Sequence, residues 1–222
     1  CSSDLVIIYY GIIVGLITMG TTAILRDTQG NSSMGGLGLT SVVFIFILGL
    51  NCFTSAFRFM QANNVSRQRF YIANVLALSV ISLFMATIDT TLGLVLRLLI
   101  PYSGMTEQLY GTAAFLPELI WTFTLAALAA HAGWVINMIY YRSNKIQKIL
   151  VSVSPLFAFI TLVYINRRTA GAFGTFLMEF LTTLLGFSNG PNPYIAALSF
   201  TTGAAIMAGL GFLLIRRAPV KD

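Results

Sequence analysis

The stretch RFMQANNVSRQRFY, residues 58–71, separates two long apolar runs, Leu39–Phe57 before it and Tyr71–Ile88 after it. It carries Arg58, Arg67 and Arg69 and no acidic residue. A short basic segment between two membrane spans stays on the cytoplasmic side, because positive charge resists translocation. The stretch therefore orients the chain. Its two halves also read as a helical elbow. The pattern Ser55–Gln61 continues the preceding helix beyond the bilayer, Asn63-Asn64 breaks it, and Ser66 is placed to cap a new helix that starts at Arg67. The elbow is expected to lie at the membrane surface, with its aromatics toward lipid and its arginines toward water.

Working outward, the composition gives the solvent. The chain has 222 residues, 57% hydrophobic and 9% charged, where a water-soluble domain is about 25% charged. So few charges cannot cover a water-facing surface, and most of the chain must face lipid. The net charge of +6 does not point to nucleic acid, because the Lys and Arg are confined to short turns with no basic, aromatic-interleaved patch. Cys1 and Cys52 have neither metal-ligand nor disulfide-framework spacing. The opening Cys1-Ser2-Ser3-Asp4-Leu5 matches what a sequencing adapter encodes in frame, so residues 1–5 are read as foreign to the natural protein.

Spanning a hydrocarbon core takes roughly 20 apolar residues per helix. Six runs meet or approach that length: 5–25, 39–57, 71–100, 113–140, 149–165 and 194–215. They are continuous rather than alternating, which excludes strands. The expected fold is all-α: one polytopic membrane domain over 1–222 with six transmembrane helices. Between spans five and six, GAFGTFLMEFLTTLLGF is apolar but short and contains Glu179. It is expected to form a re-entrant or interfacial helix. In this plan nine of the thirteen Lys and Arg fall on one side and four (Arg26, Arg97, Arg167, Arg168) on the other. The nine mark the cytoplasmic face, and both termini lie there.

Candidate chemistry is sparse. Asp89, Glu118 and His131 lie inside apolar runs and Glu179 inside the short apolar insert, where an ionisable side chain is costly and is a candidate for translocation or gating. Glu118 follows Pro117 near a helix start, where a carboxylate favours the positive dipole end, and His131 suits a structural role, hydrogen-bonded between helices, better than a proton relay. No nucleophile–base pair, metal set or GxxxxGK[ST] phosphate loop is visible. The chain is therefore not read as an enzyme, no metal is assigned to it, and any ATP must be bound by another chain. Gly11-Ile-Ile-Val-Gly15 is a GxxxG motif, and Ala205-Ile-Met-Ala-Gly209 a small-xxx-small analogue. Either allows close helix packing, within the chain or at a dimer seam.

The elbow segment Asn64-Val65-Ser66-Arg67-Gln68-Arg69-Phe70-Tyr71-Ile72-Ala73-Asn74 resembles the stretch leading into the third span of ABC-2-type transporter permeases, especially short ones from Firmicutes. The tail Leu213-Leu214-Ile215-Arg216-Arg217-Ala218-Pro219-Val220-Lys221 is similar to the ending of the same permeases. So are the six-span plan and the apolar insert before the last span, and the resemblance covers nearly the whole chain. The chain departs from the pattern in lacking the cytoplasmic segment that precedes span one. The resemblance implies a permease subunit of an ABC exporter in a bacterial cell membrane, paired with a second permease chain. It also implies soluble ATP-binding subunits that hold ATP and Mg, while this chain binds no cofactor. The loop between spans two and three would couple to the ATPase through Arg58, Phe59, Asn64, Ser66, Arg67, Arg69, Phe70 and Tyr71, with the three aromatics as apolar anchors. The rival reading of the residues is an ion-coupled secondary transporter or channel using Asp89, Glu118 and His131; a membrane-embedded enzyme is the weaker rival.

Topology is the first testable consequence. Single cysteines at Ser32 and Asn189 should react with an impermeant thiol reagent from outside the cell, and one at Asn63 should not. Outside labelling at Asn63 would invert the orientation.

Overall fold

The computed structural model describes residues 36–99, 102–188 and 190–216. Those residues form eight helices: α1 Gly36–Asn51, α2 Thr54–Ala62, α3 Arg67–Leu99, α4 Met105–Tyr110, α5 Phe115–Arg142, α6 Lys145–Arg168, α7 Ala172–Leu184 and α8 Pro193–Arg216. No strand occurs among the described residues, apart from an isolated bridge between Ser188 and Gly190. Helices α3, α5, α6 and α8 are long and apolar enough to cross a bilayer. The described residues are therefore all-helical, with the hallmarks of a membrane protein. The run 5–25, with Gly11 and Gly15, lies outside the described residues.

Helix α5 is the axis. α8, α1 and α3 all pack on it. Small side chains on α5 make this possible: Ala126, Ala127, Ala130 and Gly133 are all buried. Where α1 crosses α5, two glycines face each other. A Cβ on Gly49 would collide with the carbonyl of Ala130, and one on Gly133 with the carbonyl of Phe46. Backbone therefore rests on backbone, a contact that gains dispersion energy where lipid offers no hydrophobic drive. On the α8 side, a Cβ on Gly211 would stand 2.7 Å from the ring of Trp134, which is fully buried. In contrast, nothing lies within 4 Å of a Cβ on Gly209, and Ala205 is exposed. The small-xxx-small motif of the last helix therefore faces away from the described packing.

The expected span 39–57 is broken. Its helix ends at Asn51, whose Nδ2 donates to the Ile47 carbonyl at 2.7 Å, and a separate short helix begins at Thr54. The break turns Phe53 and Phe57 inward. They stack on each other at 4.9 Å and meet Phe70 of α3 and Tyr141 of α5 edge-on, at 5.4–5.9 Å. A continuous helix would have left the second half of this aromatic cluster unmade. The other long helices follow the apolar runs, α3 starting four residues earlier than the run at 71.

Helix α6 is the exception to the packing. It has no buried residue and touches mainly α7. Its start is set by a side-chain bond, Asn144 N donating to Gln147 Oε1 at 2.9 Å. Helix α7 follows after a tight reversal in which Gly171, at φ 91°, donates to the Asn166 carbonyl. With 13 residues it is only ~20 Å long, short of a hydrocarbon core. Its far end is held near α4 by Tyr110, which donates to the Leu185 carbonyl at 2.9 Å and stacks on Phe187 at 5.0 Å.

The glycine crossing gives a direct test. Gly49→Val or Gly133→Val forces two backbones apart and should destabilise the protein by about 1–3 kcal/mol. Gly209→Val, made in open space, should leave the thermal midpoint within a degree or so of wild type.

Candidate functional site

The candidate residues collect at the two ends of α3, whose 33 residues span ~50 Å. The elbow is at its start. Helix α2 ends with Asn63 Nδ2 donating to the Phe59 carbonyl at 2.8 Å. Asn64 then takes the left-handed conformation at φ 55°, and Val65 N reaches back to the Met60 carbonyl at 3.0 Å. This six-to-one bond with a left-handed residue is a Schellman-type stop, for which Asn is one of the few tolerated non-glycine residues. Ser66 then caps α3: its Oγ accepts from Arg69 N at 3.4 Å. The break at Asn63-Asn64 and the restart at Arg67 are thus where the sequence puts them.

The orientation of the elbow side chains is different from expectation. Arg58, Asn64, Ser66 and Arg69 are exposed, and Phe59 is 68% exposed. Phe70, however, is 2% exposed and packs edge-on against Phe53 and Phe57. Tyr71 is half-buried, its hydroxyl donating to the Ala208 carbonyl at 3.0 Å and its ring packing on Trp134 and Phe212. Arg67 donates to the Arg216 carbonyl at 3.1 Å, which ties α3 to the end of α8. Phe70 and Tyr71 are therefore core residues, not outward anchors. The first turn of α3 must face α5 and α8 for the helix to pack at all, and these two large rings lie on that side. Phe59 alone of the three aromatics is offered outward.

The opposite end of α3 holds a polar cluster. Arg97 Nη2 lies 2.9 Å from Glu118 Oε2 and 3.3 Å from Glu107 Oε2, and Arg97 Nη1 donates to the Ala113 carbonyl at 3.1 Å. Glu118 occupies the first turn of α5, where the helix dipole favours it. Close by, Asp89 Oδ1 accepts from Ser41 of α1 at 2.8 Å. Asp89 and Glu118 line the same small cavity, together with Tyr102, Thr106 and Trp121. Burial, with Glu118 beside it, pushes the Tyr102 hydroxyl above its usual range, so that group stays protonated.

The structure brings together two of the four intramembrane candidates and leaves two apart. His131 is buried against Trp134 with Nδ1 at 2.8 Å from the Ala127 carbonyl of its own helix, a satisfied structural histidine. Glu179 is exposed on α7, with no side-chain bond to the described residues. Arg97 was legible only as one of the charges on the minority side. Glu107, Tyr102 and Thr106 carried no signal beyond sitting in the polar interval that follows Pro101. Among the described residues no three His, Cys, Asp or Glu side chains converge as a metal set. Compared with protein-family models, characterised proteins and solved structures, the chain matches none. The likeness to ABC-2-type permeases accordingly rests on the short motifs and the span plan.

Two measurements check this geometry. Arg97→Gln strands a buried Glu118 and should destabilise by about 3–5 kcal/mol, with much of the loss recovered when Glu118→Gln is added. Phe70→Ala empties the aromatic cluster and should cost about 3–5 kcal/mol in a thermal or denaturant melt, whereas Phe59→Ala should be nearly neutral.

Proposed function

We propose that this chain is the membrane-spanning permease subunit of an ABC-2-type exporter, working with a soluble ATP-binding subunit and a second permease chain. The observation that carries the reading is the elbow. A short helix lies between two hydrophobic helices, stopped by Asn64 and followed by a Ser66-capped restart, and it presents Arg58, Phe59 and Arg69 outward. These are the chemical parts of a docking element: cations that steer toward an acidic surface and one exposed aromatic to fill a pocket. Behind it, Phe53, Phe57 and Phe70 join the elbow to α3 and α5, so a push on the elbow moves packed helices and not a loose loop.

In this reading residues 5–25 and α1 complete six spans, α7 lies at the outer surface without crossing, and both termini are cytoplasmic. The nine-to-four distribution of Lys and Arg supports that orientation. The plasma membrane of a bacterium is the expected location. The bonds Arg97–Glu118 and Ser41–Asp89 join neighbouring helices near the exit side, where they would act as gating ties. The cargo is an amphiphilic molecule such as a peptide, lipid or drug, by analogy with such exporters.

The test is capture of the ATP-binding subunit encoded beside this gene. Phe59→Ala should weaken co-purification about tenfold while membrane insertion and melting stay as in wild type, and Arg58→Lys with Arg69→Lys, which keeps the charge that orients the loop, should cause a smaller loss. Undiminished capture by both variants, or the lack of any ATP-binding partner, would remove the elbow as a coupling element.

A further inference from the structure

The cavity between α1, α3, α4 and the first turn of α5 has a volume of about 20 Å³, and Asp89, Thr90, Tyr102, Thr106, Glu118 and Thr122 are among the residues that line it. That is room for one water-sized particle. Two of the lining side chains carry a buried atom that has no hydrogen-bond partner: Asp89 Oδ2 and Thr106 Oγ1. Thr106 is 1% exposed, so water outside the protein does not satisfy its hydroxyl. Its partner is missing in a place where a polar group left alone is costly.

Charge narrows what fits. Two acids, Glu107 and Glu118, stand against one arginine, and a third, Asp89, lines the cavity together with Glu118. Arg97 is committed to the two glutamates, at 3.3 and 2.9 Å. Asp89 has a neutral partner, Ser41, on one oxygen and nothing on the other. A carboxylate held this way needs a positive charge in the cavity or must stay neutral. The donors suit a small monovalent ion. One uncommitted carboxylate and a hydroxyl supply oxygen ligands and a single negative charge, too little to offset the dehydration of a divalent ion such as magnesium. The nitrogen and sulfur ligands of zinc-type sites are absent from the lining residues.

We propose that this cavity binds a sodium ion between Asp89 Oδ2 and Thr106 Oγ1, pinning α4 to α3 beside the α1–α3 contact. The site does not rest on the permease reading, because it needs no partner and no transport.

The experiment is a thermal melt of the full-length protein in nanodiscs, in sodium, potassium or choline chloride at equal ionic strength. Sodium at about ten times its dissociation constant should raise the midpoint by on the order of 3 °C over choline, saturably, with potassium well below sodium. Asp89→Asn should abolish the sodium shift. Thr106→Val keeps every charge and should raise the half-saturating sodium concentration about tenfold. Equal midpoints for wild type in all three salts would give the cavity to a water molecule and overturn the proposal. So would a potassium shift equal to that of sodium, or a sodium shift that survives Asp89→Asn. Should Asp89→Asn not fold, an unchanged half-saturation in Thr106→Val overturns it just as well.

Discussion

The fold depends on how closely α1 can approach α5. In lipid the apolar side chains gain little by leaving their solvent, so helices associate through contact quality and buried polar bonds. Gly49 and Gly133 put the two backbones against each other. That contact fixes where α1 ends relative to α5, and so where the turn at Cys52-Phe53 brings Phe53 and Phe57 onto Tyr141. At the other end of the same helix pair it sets Ser41 opposite Asp89. The aromatic cluster beneath the elbow and the Ser41–Asp89 bond both depend on where that crossing places α1. Trp134 extends the same logic to α8, because its ring needs the space that Gly211 leaves.

The two ends of the bundle are held by different physics. The elbow end is closed by rings, with Phe70 and Tyr141 each within 6 Å of both members of the Phe53–Phe57 stack. Such packing tolerates small rotations, since offset and edge-on geometries differ little in energy. The other end is closed by ions and hydrogen bonds around Arg97, which are directional and have few alternatives at low dielectric. Small rotations at the elbow therefore cost little and pass into α3, whereas the polar end must either hold or break.

The sequence showed much of this, and its failures are instructive. The long apolar runs located α3, α5, α6 and α8 closely, because length and continuity are strong signals. Asn64 and Ser66 were readable because a left-handed stop and a hydroxyl cap each require particular side chains. The break after Asn51 was not. Its flanks are as apolar as a continuous span, and only tertiary contact from Tyr141 and Phe70 favours turning Phe53 and Phe57 inward. The same blindness gave Phe70 and Tyr71 the wrong face, since periodicity says which residues share a side and not which side is the core. GxxxG spacing drew attention to Gly11 and Gly15 and to Gly209, yet the crossing among the described helices is made by Gly49 and Gly133, one from each helix. A motif search along one chain segment cannot see a contact whose halves are 84 residues apart.

Helix α3 joins the two candidate sites into one mechanical element. It has no proline, and from Arg67 to Asp89 it runs ~33 Å without a glycine. Such a helix transmits a tilt at its first turn to its far end, because bending it would break hydrogen bonds along its length. Its first turn is tied to α8 by Arg67 and Tyr71, and its last third to α1 and α5 by Asp89 and Arg97. Under the proposed function, a partner that moves the elbow works against Phe70 first and against the Asp89 and Arg97 bonds last. The small cavity at Asp89 lies among those last bonds. An ion there would add stiffness where the lever is longest, at the junction of α1, α3 and α4.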